Sequence, residues 1–305
     1  MAQAQTTWPA RTIRLVNPFV PGGTSDIVSR AVASELSKQL GVQVIVDNKG
    51  GGGGVPAMQD VAKSAPDGYT IIIAHVGNLA VNPYIFEKTG YEVNRDFTPI
   101  ALLTKVPSLF VIHPDVPAKN FREFIAYAKK NPGKLNYGSA GNASAGHLAI
   151  ENLKLMTGIY LTHIPYRGTG PALTDLLAGV TQVFSAGTPA LLQHIRSGKL
   201  RAIATGTPKR LPSLPDVPTV SESGYPGFES VQWYGLMAPA STPPEIIKRL
   251  QEESYKALRS LNNAERFAKE DATLEGGPSA EFGAFIAQQQ KIWKEIVVKA
   301  KIKPD

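Results

Sequence analysis

Five short stretches of small residues carry the chemistry this sequence can offer: Phe19 to Thr24, His75 to Asn78, Gly138 to Ser144, Tyr166 to Gly170 and Ala186 to Thr188. Each follows a short apolar run and precedes a helical pattern. The first turn of a helix leaves backbone N–H groups without partners, and the helix dipole adds partial positive charge there. Such a loop binds an anion without Arg or Lys, and Gly and Ser let a ligand approach the backbone. One loop of this kind serves turn geometry as readily as binding. Five in one chain, from both halves, point to a shared anion site.

Other chemistries have less support. There is no cysteine, which excludes a disulfide framework, a thiolate metal site and a Cys nucleophile. The histidines His75, His113, His147, His163 and His194 form neither H-x-x-x-H nor H-E-x-x-H, so no metal is expected. No G-x-x-x-x-G-K-[ST] occurs. Gly52-x-Gly54-x-x-Ala57 meets the relaxed dinucleotide pattern, but a glycine run does so easily. The next strand also ends at His75 rather than at a ribose-binding acid, so no cofactor is expected. Asn142-Ala143-Ser144-Ala145-Gly146 lies where a nucleophile elbow would sit, with Asn142 in place of the first Gly. A serine hydrolase of carboxylic esters using Ser144, with Asp175 and His194 in the expected chain order, is the alternative reading. Ser144 serves more simply as a helix N-cap or a ligand hydroxyl.

The elements that position these loops are legible as repeated strand-loop-helix units, which imply an α/β fold with parallel sheets. Strands are expected at Ile13–Asn17, Val42–Val46, Thr70–Ala74, Ile100–Leu103 and Ser108–Ile112. A second series has strands at Leu135–Tyr137, Tyr160–Ile164, Gln182–Ser185 and Leu200–Ala204. Helices follow most of them, the first running from a Thr24 or Ser25 cap to about Leu40. Residues 206–227 read as loop, 230–237 as extended, about 245–261 as a helix and 279–300 as another. Two domains are expected, 1–106 with 236–305 and 107–235, joined near Val106 and again near Trp233 to Pro239.

The 305 residues suffice for two domains at roughly 150 residues each. The net charge of +7 favours anions, but the basic residues form no run and no interleaving with aromatics, so no nucleic-acid partner is expected. No stretch approaches the ~20 apolar residues of a membrane span. Ala2-Gln3-Ala4 has the A-x-A form that precedes a signal-peptidase cut, which suggests a mature exported chain.

Longer motifs carry a family resemblance. Pro18-Phe19-x-Pro21-Gly22-Gly23-x-x-Asp26 resembles the first-strand signature of Bug-type solute-binding proteins, the periplasmic receptors of tripartite tricarboxylate transporters. The match continues through Asp47-Asn48-Lys49-Gly50, Asp67-Gly68-Tyr69-Thr70, Asn82-Pro83, Asp96-Phe97-Thr98-Pro99-Ile100 and Tyr137-Gly138-Ser139-x-Gly141. It resumes at Pro165-Tyr166-Arg167-Gly168, Gly198-Lys199-Leu200-Arg201-Ala202, Pro215-Asp216-Val217-Pro218-Thr219 and Trp233-Tyr234-Gly235.

The resemblance implies a two-domain periplasmic-binding-protein (Venus-flytrap) fold with two crossover segments, no catalysis and no cofactor. It implies a monomer in the periplasm that delivers a small carboxylate to membrane transporter subunits. By position, Phe19 would wall the pocket and Gly23 and Thr24 would meet a carboxylate, while Asp26 orders its loop. Ser139, Gly141, Asn142 and Ser144 would bind from the second domain with Gly168 and Thr169. His75, Asn78 and Thr188 stand in variable loops, and Arg167 stands where the family has a basic residue.

Overall fold

Short apolar runs bounded by glycine-rich loops fold as strands, and the amphipathic segments after them fold as helices. The computed structural model describes residues 8–300, 302 and 303; Ala2-Gln3-Ala4 lies outside the described residues. The first series is β1 (Ile13–Asn17), α1 (Thr24–Leu40), β2 (Val44–Asn48), α2 (Val55–Ala62) and β3 (Thr70–His75). A π-helical turn at Gly77–Val81 leads into α3 (Asn82–Ile85) and α4 (Val93–Asp96). The long strand β4 (Phe97–Ile112) follows. Then come α5 (Phe121–Lys130), β5 (Asn136–Ser139), α6 (Ala145–Thr157), β6 (Thr162–Pro165), α7 (Thr169–Leu177), β7 (Val183–Gly187), α8 (Thr188–Arg196) and β8 (Arg201–Thr205). The chain ends with β9 (Val231–Pro239), α9 (Pro244–Leu258), α10 (Leu261–Lys269), β10 (Thr273–Leu274) and α11 (Ser279–Ala300).

The strands are ordered β2-β1-β3-β9-β4-β7-β5-β6, with β8 and β10 also on β4. This path is two sheets that share one strand. Residues 97–107 of β4 pair antiparallel with β9, and residues 108–112 pair with β7 and β8. β1 runs parallel to β2 and β3, and β5 runs parallel to β6 and β7. Each sheet is covered on both faces by a buried cluster, as parallel sheets require. The helices α9, α10 and α11 return to the first sheet, burying Leu250, Phe267 and Phe282 there.

Several features differ from the sequence expectation, among them the β2 strand, which lies at Val44–Asn48 rather than Val42–Val46. Ile100–Leu103 and Ser108–Ile112 are parts of one strand, because β4 keeps its ladder through bulges at Pro99/Ala101 and Leu102/Thr104. Pro107 is tolerated because it stands where the partner changes from β9 to β7. The helix expected to run to about Leu261 stops at Leu258, and Ser260 starts α10, which was not expected. Thr24 and Ser25 do not cap α1: Gly23 is the N-cap, without a side-chain bond, and Ser25 Oγ donates to Asn17 Oδ1 at 2.6 Å.

The chain passes between the sheets twice, at residues 107–108 and again at 230–231, and the passages touch. Gly206 N donates to Ser108 O at 2.9 Å, and Ser230 N donates to Gly206 O at 2.8 Å. The strand-end loops of both sheets face each other across this junction. One close approach sets the second half's geometry: a Cβ on Gly146, in the first turn of α6, would lie 2.0 Å from the Ser185 carbonyl oxygen of β7. Gly146→Ala must push the helix start off the sheet, at a cost of about 2 kcal/mol. The expected readout is a lower urea midpoint at unchanged m-value; an unshifted midpoint would show that the contact is slack.

Candidate ligand-binding cleft

A cavity of about 30 Å3 lies where the two sets of loops meet. From the first half it is lined by Phe19, Gly23, Thr24, Ser25, His75, Gln232 and Tyr234, and from the second by Ala140, Ser144, Ala145, Gly146, Thr169, Ser185 and Ala186. None of these side chains is Asp, Glu, Lys or Arg. The halves nearly touch, since a Cβ on Gly23 would lie 2.8 Å from Thr169 Oγ1.

The cavity's polarity comes from helix starts. The first intrahelical bond of α1 is Ile27 N to Gly23 O, so the N–H groups of Thr24, Ser25 and Asp26 precede the helical ladder. Ser144 caps α6, its Oγ accepting from His147 N at 3.3 Å, which leaves the amides of Ala145 and Gly146 ahead of that ladder. The caps of α7 and α8, Gly168 and Gly187, bring no side-chain acceptor. Gly168 has φ 152°, and a Cβ there would meet Val20 Cγ2 at 2.2 Å, so only glycine lets α7 begin this close to the first half.

Two side chains of this lining carry a buried polar atom that lacks a partner. His75 is 3% exposed, and Asn78 N donates to its Nδ1 at 3.3 Å. That bond assigns the proton to Nε2, which is buried and unpartnered. Burial pulls the His75 pKa down to about 4, so the ring is neutral at pH 7 and Nε2–H is a free donor. Ser185 Oγ, on the opposite wall, is likewise buried without a partner. Phe19 packs its ring on His75, with centroids 4.8 Å apart. Tyr234 Oη donates to Gln232 Oε1 at 2.7 Å, and burial pushes the phenol pKa up.

The sequence-nominated residues divide into two groups. Phe19, Gly23, Thr24, His75, Ser144 and Thr169 line the cavity. Asn78, Ser139, Gly141, Asn142, Arg167, Gly168 and Thr188 are not among its lining. Asn78 holds His75 and donates from Nδ2 to Gly53 O at 2.9 Å. Ser139 Oγ pairs with His163 Nε2 at 2.7 Å and accepts from Gly141 N. The Asn142 carbonyl lies opposite Gly53. Thr188 Oγ1 donates to the Glu270 carbonyl, tying the α8 start to the first half. Arg167 is exposed.

Behind the 139–144 loop, His163 stacks between Tyr137 and His147, with centroid distances of 4.6 and 4.3 Å. His147 Nδ1 accepts from Ala143 N at 3.1 Å. Burial, then His163 and Lys154, lower its pKa to about 3. Asp26 orders the first loop: Gly22 N, Asn48 Nδ2 and Arg30 all donate to its carboxylate. Burial would raise the Asp26 pKa, but those donors outweigh it and hold the group ionised.

Sequence reading nominated the loops of Ala140 and Ala186 without singling out those residues, and it missed Ser25, Ala145, Gly146, Ser185, Gln232 and Tyr234 as lining. Trp233-Tyr234-Gly235 was a visible motif, but its role as cavity wall was not. β7 runs to Gly187, two residues beyond the expected strand end, so Ser185, which lines the cavity, lies inside the strand rather than at its end.

The hydrolase constellation does not assemble. Ser144 Oγ is occupied as a cap, and Asp175 accepts from Tyr166 Oη at 2.6 Å. Asp175 and His194 lie six residues along helices that start near the cleft, which places them about 9 Å farther out. Among the described residues, no group of three or more His, Asp or Glu could hold a metal ion. No described helix is long and apolar enough to cross a membrane.

The sequence model of the tripartite tricarboxylate transporter family receptor matches residues 28–302. The chain belongs to this family. The tripartite tricarboxylate receptors are solute-binding proteins rather than enzymes. Solved structures of similar proteins share the whole architecture. The periplasmic binding protein BugD is 36% identical with a TM-score of 0.94, covering 98% of this chain and 100% of that one. An R. palustris protein solved with adipate is 34% identical at a TM-score of 0.94, with the same coverage. MatC from Rhodopseudomonas palustris with bound malate is 32% identical at 0.91, covering 95% of this chain and 100% of that one.

The buried histidines give this receptor a pH signature. An unfolded His binds its proton near pH 6.5, whereas folded His75 stays neutral to about pH 4. Between those values the unfolded state holds more protons, so stability is present above pH 6.5 and is lost as pH falls. For His75 the full loss is about 3 kcal/mol. Melting temperatures from pH 7 to 4.5 should fall more steeply for the wild type than for His75→Gln; parallel curves would contradict the neutral buried ring.

Proposed function

We propose that this chain is a periplasmic receptor that captures a small carboxylate between two lobes and presents the closed complex to the membrane subunits of a tripartite transporter. The observation that carries this reading is the cavity itself. Helix starts from both halves converge there, no acidic side chain lines it, and His75 in its lining carries an unpaired donor. Two free amides at one helix start suit the two oxygens of a carboxylate, and a neutral donor suits a second acceptor. The adipate and malate found in the similar proteins are both carboxylates.

Phe19, Gly23, Thr24 and His75 form the first lobe's contribution in this reading, and Ser144, Thr169 and Ser185 the second's. Ser139, Gly141, Asn142, Gly168 and Thr188 shape and brace the loops, Asn78 positions His75, and Arg167 meets solvent. The lobes are residues 1–106 with the C-terminal part, and 107 onward. The division at 106/107 suits the change of partner along β4, and the return is better set at Ser230–Val231 than at 235/236, since β9 pairs only within the first sheet.

Closure supplies the mechanism. A cavity of about 30 Å3 is too small to admit a dicarboxylate, so the lobes part at the 107–108 and 230–231 passages and close on the solute. The solute drives closure only through contacts made in the closed state, which the α6 and α7 amides supply to a molecule docked on α1. The large exposed apolar residues, among them Leu261, Val298, Tyr160 and Val180, lie on separate elements, which supports a monomer.

Thr169→Glu tests the reading. Glutamate in a first helical turn favours the helix, so folding is preserved, but the anion site gains a like charge. Calorimetry with succinate, malate and adipate should show affinity lost about hundredfold or more, or ~3 kcal/mol. Undiminished binding would remove the site. Among wild-type ligands, the bound acid should raise the melting temperature, because it stabilises the native state alone.

A further inference from the structure

The lobes also touch at an edge outside the cleft. There the end of α10, in the first lobe, meets the start of α8 and the 211–214 turn of the second. Thr188 Oγ1 donates to the Glu270 carbonyl. One residue on, Asp271 holds Ser213 with both carboxylate oxygens. Ser213 Oγ donates to Oδ2, and Ser213 N donates to Oδ1 at 3.3 Å.

Each partner is anchored in its own lobe. Leu211 and Leu214 flank Ser213 and pack with Leu109 and Phe184 in the second lobe's core. Asp271 follows α10 in a Schellman turn, in which Ala272 N donates to Phe267 O at 2.9 Å and Asp271 N to Ala268 O at 3.2 Å. Phe267 and Ala272 belong to the first lobe's core, and Thr273 pairs with Lys105 on β4. The Asp271–Ser213 bonds therefore join two separately built bodies.

Two observations suit a contact that forms and breaks. Grooves of about 620 Å3 beside Asp271 and about 510 Å3 beside Glu270 flank it, and the apolar residues behind its two sides lie in separate clusters. Hydrogen bonds rather than a packed apolar seam join the lobes here, and water replaces such bonds at small net cost. The second observation is backbone strain. Asp271 has φ 53° at the place after a helix where glycine is the relaxed choice. A carboxylate stands there despite that penalty, and both its oxygens are spent on the other lobe.

We infer that Asp271 and Ser213, with Thr188 beside them, form a latch that engages as the lobes close and sets ligand affinity from outside the cleft. This rests on the reading that the lobes part and close on a solute. Asp271 touches no ligand and acts as a positioning residue. The latch stabilises the closed state alone, and apparent affinity scales with the closed population. Its contribution is therefore one common factor for every ligand.

The test is Asp271→Gly, which removes the carboxylate and relaxes the backbone, so the unfolding midpoint without ligand stays at or above that of the wild type. Calorimetry with succinate, malate and adipate should show every bound acid weakened by the same factor, about tenfold. Stopped-flow should place the loss in the dissociation rate. Ser213→Ala weakens binding too, and adding it to Asp271→Gly costs little more, because the two act as one unit. A second measurement needs no ligand. The chain has no cysteine, so spin labels on Gln193→Cys and Glu265→Cys, exposed on the α8 and α10 walls of one groove, report lobe separation by pulsed EPR. The ligand-free wild type shows a short-distance population that Asp271→Gly depletes. The inference is overturned if Asp271→Gly binds the acids as the wild type does, if its loss differs from acid to acid, or if both proteins hold a single short distance. Should no acid bind the wild type, the carboxylate reading falls and the label distances still decide the latch.

Discussion

The structure depends on backbone N–H groups that their own helices cannot satisfy. α1, α6 and α7 each leave amides at the first turn, and these starts are brought to one cavity. An anion is the group that completes such amides, and the dipoles add favourable charge. Using the backbone has a second consequence. Had the site relied on Arg or Lys, parting and closing would bury an uncompensated cation whenever the cleft was empty. The lining has no charged side chain, and His75 is kept neutral by burial.

Close approach of main chain is what this solution demands. The caps Gly23, Gly168 and Gly187 bring no side chain to compete for the amides. Gly146 lets α6 begin against the β7 carbonyl row. The charged groups stand outside the cavity and hold the loops. Asp26, with Arg30 and Asn48, fixes the turn before α1, and the Tyr137–His163–His147 stack backs the turn before α6. Polar networks therefore set loop shape and leave peptide groups at the cavity.

β4 ties the two halves together. One strand serves both sheets, changing partners at Pro107, where the missing N–H costs least. The return passage lies beside it, joined through Ser108, Gly206 and Ser230. Two adjacent extended segments resist twisting apart yet bend together, which suits a hinge.

Much of this was legible from residue order alone. Apolar runs of five or six residues followed by glycine-rich loops specify strand-loop-helix units, because strand and helix bury apolar side chains at different periods. The rule that ligands lie beyond strand ends then nominated the loops, and the family resemblance picked Gly23, Thr24, His75, Ser144 and Thr169 within them. Side-chain direction was not legible. Asn78 and Thr188 sit in nominated loops yet are turned to bracing bonds, and the motif match at Arg167 leads to solvent. Ser185, Gln232 and Tyr234 reach the cavity only because β7 and β9 adopt a particular register, and a shift of one residue turns every side chain to the other face. That register is set by pairing with β4, whose partners lie more than seventy residues away along the chain. Local sequence determines which segments have amides to offer; long-range pairing determines which of them, and which side chains, meet.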